Sequence, residues 1–62
     1  METTILTAIE ALLRTKGIAP SRFGRAALND PRLVFDLRRG RQLTPANAGR
    51  IRACLQRLGA EG

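Results

Sequence analysis

The side chains in this chain with the most chemistry to offer are its guanidinium groups. Ten of the eleven cationic residues are arginine and the other is Lys16; with five carboxylates and no histidine the formal net charge is +6. A planar guanidinium donates paired hydrogen bonds to phosphate oxygens or to guanine O6 and N7, so this bias points to a nucleic acid partner. Coding bias alone also raises arginine content, and placement along the chain is the better guide. From Arg22 to Arg57 there are nine arginines against Asp30 and Asp36, whereas residues 1 to 21 balance Arg14 and Lys16 against Glu2 and Glu10. The positive field is therefore concentrated in the middle and later parts of the chain.

Catalytic chemistry is thinly provided for. There is no histidine, Cys54 has no base beside it in sequence, and the carboxylates never pair on one expected face. Gly17, Gly24 and Gly40 do not form a nucleotide loop, since none follows a strand. The sequence thus predicts a protein that is not an enzyme and takes no cofactor or metal. The lone Cys54 cannot form an internal disulfide, which suits a reducing interior, and it reads as a small packing residue. No apolar run approaches the roughly 20 residues that span a bilayer. The start METTILTAIEALL carries Glu2 and Glu10 where a signal peptide carries positive charge. A cytoplasmic, nucleoid-associated protein without a membrane partner is expected.

Glycines and prolines mark the elements that must position the arginines. Sixty-two residues make one domain, 1 to 62, close to the lower size for folding without disulfides or metal. The expected fold class is all-α: a compact bundle of four short helices containing a helix-turn-helix, at about 4 to 16, 20 to 28, 31 to 39 and 45 to 58. The first has Thr3 or Thr4 as N-cap, an apolar face of Ile5, Ile9, Leu12 and Leu13, and Gly17 as its stop. The second starts at Pro20 without a good cap and buries Phe23 and Ala27. Asn29 and Asp30 form a turn, Asn29 tolerating positive φ and Asp30 capping the third helix ahead of Pro31. That helix turns Leu33, Val34 and Leu37 inward and Arg32, Phe35, Asp36 and Arg39 outward, and Gly40 stops it. Thr44 and Pro45 open the fourth, whose buried stripe is Ala48, Ile51, Leu55 and Leu58. Nothing alternates like a strand.

These residues resemble the lambda-repressor-like, or Cro-type, helix-turn-helix proteins over residues 5 to 58. Phe23 and Gly24 match the family's large apolar residue followed by a small one early in helix 2, where the small residue permits a close helix crossing. Val34 and Leu37 look like the two apolar anchors of the recognition helix, and LRRGRQLTP resembles the family's glycine and basic residue followed by a loop and a proline-started helix. One departure is Leu28, which stands where the turn glycine is usual. Either Asn29 supplies that backbone angle or the turn is one residue longer. The resemblance implies a transcriptional regulator that binds double-stranded DNA.

In such a geometry the early residues of the recognition helix face base edges, while its end and the following loop meet phosphates. Arg32 is the candidate for guanine readout, worth roughly 1 to 3 kcal/mol of discrimination, and its other reading is a salt bridge to Asp36. Phe35 is either a contact for a thymine methyl or a core or dimer packing residue. Asp36 accepts from a cytosine amino group or orients Arg32 or Arg39, and Arg39 completes the base-contact set. Arg38 and Arg41 bracket Gly40 as phosphate clamps, with Arg39 beside them. Ser21, Arg22 and Arg25 at the second helix hold the opposite side of the groove, where the helix N-terminus also offers free N–H groups. Arg50, Arg52 and Arg57 face more than one way on the fourth helix.

Two other readings compete. The same helices could serve as an interaction module for an acidic partner, such as a component of the transcription machinery. RNA binding is less favoured, because single strands are read on aromatic platforms and the chain has only Phe23 and Phe35. A small DNA reader is also expected to act as a homodimer, joined through the end of helix 4 and the tail, with or without exposed parts of helix 1, on half-sites about 34 to 36 Å apart.

Overall fold

The computed structural model describes residues 2 to 60, with side chains described from residue 5 onward. Four helices run in order α1 Glu2–Lys16, α2 Pro20–Leu28, α3 Leu33–Arg38 and α4 Pro45–Ala60, and no strand occurs among the described residues. This is the expected all-α bundle of four helices. α2 packs on α3 and α4, and α1 closes the other side against α4 and α3. The tail assigned to a dimer contact ends in residues 61 and 62, which lie outside the described part.

Helical periodicity accounts for the core. Ile5, Ile9 and Leu13 follow one another at four-residue intervals on α1 and meet Phe23 and Ala27 of α2, Leu33, Val34 and Leu37 of α3, and Ile51 and Cys54 of α4. Phe23, Ile9, Leu33, Ile51 and Val34 are the largest side chains fully removed from solvent. Cys54 is buried as a packing residue, whereas Ala48, Leu55 and Leu58 are only half-buried at the edge of the core. Leu12 likewise lies at the edge.

The helix ends show where local chemistry acts. α1 begins at Glu2, so Thr3 and Thr4 fall inside it instead of capping it, and their side chains lie outside those described. α2 enters through Ala19 without a side-chain cap and with Pro20 in its first turn. It ends at Asn29, whose φ of 57° supplies the left-handed residue in place of glycine. At α4 the Thr44 hydroxyl oxygen accepts from the Asn47 N–H at 3.1 Å, the expected cap ahead of Pro45.

α3 is shorter than the expected 31 to 39. Pro31 and Arg32 form a turn in which the Leu33 N–H donates to the Asp30 carbonyl at 3.1 Å, and Arg32 sits at φ −92°, ψ −1°. Asp30 still satisfies the entering chain, because its Oδ1 accepts from the Arg32 N–H at 3.0 Å. Regular α-bonding begins only with Asp36 N–H to the Arg32 carbonyl at 2.9 Å. At the far end Gly40, at φ 99°, donates to Leu37 and Arg41 donates to Asp36, at 3.0 and 2.9 Å. This pair of bonds is a Schellman closure, and it leaves Arg39 just past the last helical residue.

The α2–α3 crossing depends on one missing side chain. The Asp30 N–H donates to the Gly24 carbonyl at 3.1 Å, which draws the turn over α2. A Cβ on Gly24 would overlap the Asp30 carbonyl oxygen and stand 3.2 Å from the Leu33 Cβ. Since the overlapping Asp30 oxygen belongs to backbone and cannot swing aside, Gly24→Ala should destabilise the fold by about 2 kcal/mol, an overpacking penalty of about 3 offset by about 1 of helix propensity. Gly49 on α4 has open space around it, so Gly49→Ala should instead stabilise by about 0.5 to 1 kcal/mol. Urea unfolding of the two variants checks both signs.

Candidate nucleic-acid interface

The outward side of α3 carries a shallow, open depression of about 360 Å³ lined by Arg32, Phe35, Asp36 and Arg39. Spacings of three and four residues on either side of Phe35 bring these four side chains together. Because Leu33, Val34 and Leu37 already fill the inward side of this short helix, Phe35 has no place in the core. It is the one large apolar side chain left exposed among those described, at 44%. The core-packing reading of Phe35 is thereby overturned.

The arginines divide into two groups. Arg38, expected as a phosphate clamp, instead makes a two-pronged pair with Glu10 of α1, Nε to Oε2 at 2.7 Å and Nη2 to Oε1 at 2.8 Å. Its guanidinium also lies 5.6 Å from the centroid of the Phe35 ring. Arg41, expected in the same role, points its Nη1 at Asp30 Oδ2, 2.7 Å away, and at Asp36 Oδ2, 3.5 Å away. Both cations thus have a carboxylate partner within the monomer while their side chains stay partly exposed. The Schellman turn at Gly40 is what returns Arg41 to those two aspartates.

Asp36 consequently does not orient Arg32 or Arg39; its ion-pair partner is Arg41. The salt bridge from Arg32 to Asp36 does not form, and Arg32 and Arg39 both stand exposed. Arg22 and Arg25, one turn apart on α2, are exposed beside Ser21. No ion pair or side-chain hydrogen bond engages Arg22, Arg25, Arg32 or Arg39 among the described residues. On α4, Arg50 and Arg52 are exposed and Arg57 reaches Cys54 Sγ at 3.9 Å.

Glu10 is the functional neighbour that sequence reasoning missed. It lies 28 residues from Arg38, so no helical spacing connects the two, and only the packing of α1 on α3 brings them together. Its place in sequence, next to Ile9 and three residues before Leu13 at the border of the apolar face of α1, was the available signal. No helix among the described residues is long and apolar enough to cross a membrane. Comparison of the chain with protein families, curated proteins and solved structures returns no match.

Both anchoring carboxylates titrate below their ordinary values. The Arg38 hydrogen bond holds Glu10 down against slight desolvation, with the charges of Arg38 and Arg14 adding to it. The Arg41 hydrogen bond, then the Arg32 backbone N–H, do the same for Asp30. Glu10 in turn raises the Arg38 guanidinium. A lowered carboxylate stabilises the fold fully above its unfolded value, here 4.5 for Glu10 and 3.8 for Asp30, and loses that contribution as pH falls through the folded value. The melting temperature should therefore fall with acidification below about pH 4.5. Glu10→Gln should lower it slightly at pH 7 and flatten part of the acid limb, as thermal melts from pH 7 to 2.5 would record.

Proposed function

We propose that the chain is a double-stranded DNA-binding protein of the transcription-regulator kind, which sets the outward face of α3 in the major groove. The observation that carries this reading is the depression on α3, where two unengaged guanidinium groups flank an exposed aromatic ring. Guanidinium forks suit guanine O6 and N7, and an exposed apolar ring suits a pyrimidine methyl, both displayed in that groove. Arg22 and Arg25 on α2, with Ser21, supply contacts for the sugar-phosphate backbone on the opposite side of the groove, and Arg39 supplies one at the end of α3.

A protein-interaction module for an acidic partner would use the same cations and the same ring, since aromatic residues and arginines are also enriched at protein interfaces. Salt dependence separates the two. With three or four phosphates neutralised per protomer, affinity for a random duplex should fall with a log-log slope of about −3. Arg25→Ala should weaken all duplexes alike and reduce that slope by about 1, whereas Arg32→Ala should chiefly flatten sequence preference. Absence of duplex affinity even at about 50 mM salt would defeat the DNA reading and favour the acidic partner.

A further inference from the structure

Resting on the duplex-binding reading, we propose that the depression on α3 recognises the major-groove edge of a 5-methylcytosine·guanine pair. Its four lining groups are an apolar ring, a carboxylate and two guanidinium forks. In the major groove 5-methylcytosine presents a C5 methyl group next to the N4 amino donor, and its guanine partner presents O6 and N7 acceptors. Consecutive residues Phe35 and Asp36 offer an apolar surface and an acceptor to the first base, and Arg32 or Arg39 offers paired donors to the guanine.

The carboxylate is what separates this ligand from thymine. Thymine carries the same methyl group beside O4, an acceptor, which Asp36 repels; plain cytosine carries the amino donor but leaves the Phe35 ring without a methyl. Two contacts prepare these side chains for the task. Arg41, 3.5 Å from Asp36 and tied at 2.7 Å to Asp30, offsets the carboxylate's repulsion by nearby phosphates. Arg38, forked onto Glu10, lies 5.6 Å from the Phe35 centroid and restrains the ring while leaving it 44% exposed.

The test titrates the full chain against three random-sequence duplex pools, made with cytosine, with 5-methylcytosine in place of cytosine, or with deoxyuridine in place of thymidine. The methylated pool should bind about fourfold more tightly per methyl group contacted, and the deoxyuridine pool should match the thymidine pool. Phe35→Ala should erase the methyl preference, so that the methylated and unmethylated pools bind it equally whatever the change in overall affinity. Asp36→Asn, whose amide can donate to O4, should admit thymine and make the deoxyuridine pool the weaker. Both substitutions fall outside the buried core, and circular dichroism verifies that they fold. Equal binding of methylated and unmethylated pools overturns the proposal but leaves the DNA reading standing, as does weaker binding to deoxyuridine without any gain from methylation. Failure to bind any pool overturns the DNA reading and this proposal with it.

Discussion

The contact of the Asp30 backbone with Gly24 is the constraint on which the rest of the structure depends. Where α2 lacks a side chain, the turn comes close enough for the Asp30 N–H to reach the Gly24 carbonyl and for Leu33 to enter the core. Asp30 then organises the residues on its C-terminal side. Its carbonyl receives Leu33 N–H, one carboxylate oxygen receives Arg32 N–H and the other receives Arg41. A single residue, fixed by a glycine six positions earlier, thus sets the start of α3 and anchors the loop that leaves it.

The excess of positive charge is handled by division of labour. A small chain with net charge +6 repels itself in the folded state, and two of the three arginines around Gly40, Arg38 and Arg41, have carboxylate partners. Arg38 joins α3 to α1 through a forked carboxylate contact, a geometry that adds direction as well as attraction. Arg41 bridges the turn before α3 and the helix itself through Asp30 and Asp36. These pairs are partly exposed, so their main effect is on orientation more than on overall stability. Among the described residues, Arg22 and Arg25 on α2 and Arg32 and Arg39 at the two ends of α3 have no ion pair or side-chain hydrogen bond.

The backbone plan was legible because it is written in local signals. Gly17, Pro20, Thr44 and Pro45 stand at the boundaries they were expected to mark, and the i, i+3, i+4 spacing identified Ile5, Ile9, Phe23, Ala27, Leu33, Val34, Leu37 and Ile51 as core. The outward grouping of Arg32, Phe35, Asp36 and Arg39 was legible for the same reason. The partners of Arg38 and Arg41 were not. Glu10 meets Arg38 across 28 residues and Asp30 meets Arg41 across 11, after a Schellman turn whose direction periodicity does not encode. The first turn of α3 was also misjudged, since proline at the start suits both an α-helix and a type I turn.

The shortness of α3 bears on how the side chains of its outer surface are held in place. Six residues span about 9 Å and would not hold a helical shape alone in water. The shape is imposed from outside: Asp30 fixes the entry, Gly40 and Arg41 close the exit, and Leu33, Val34 and Leu37 are buried beneath. The two end anchors lie outside the helix, and the third is its own apolar face seated in the shared core. The position of Phe35 between Arg32 and Arg39 is consequently a property of the whole bundle, and a cavity made under Leu33 or Leu37 would shift the outer side chains without touching any of them. The placement of the outer side chains and the stability of the bundle are coupled through that layer, so a chain this small has little freedom to change its core without moving Arg32, Phe35, Asp36 and Arg39.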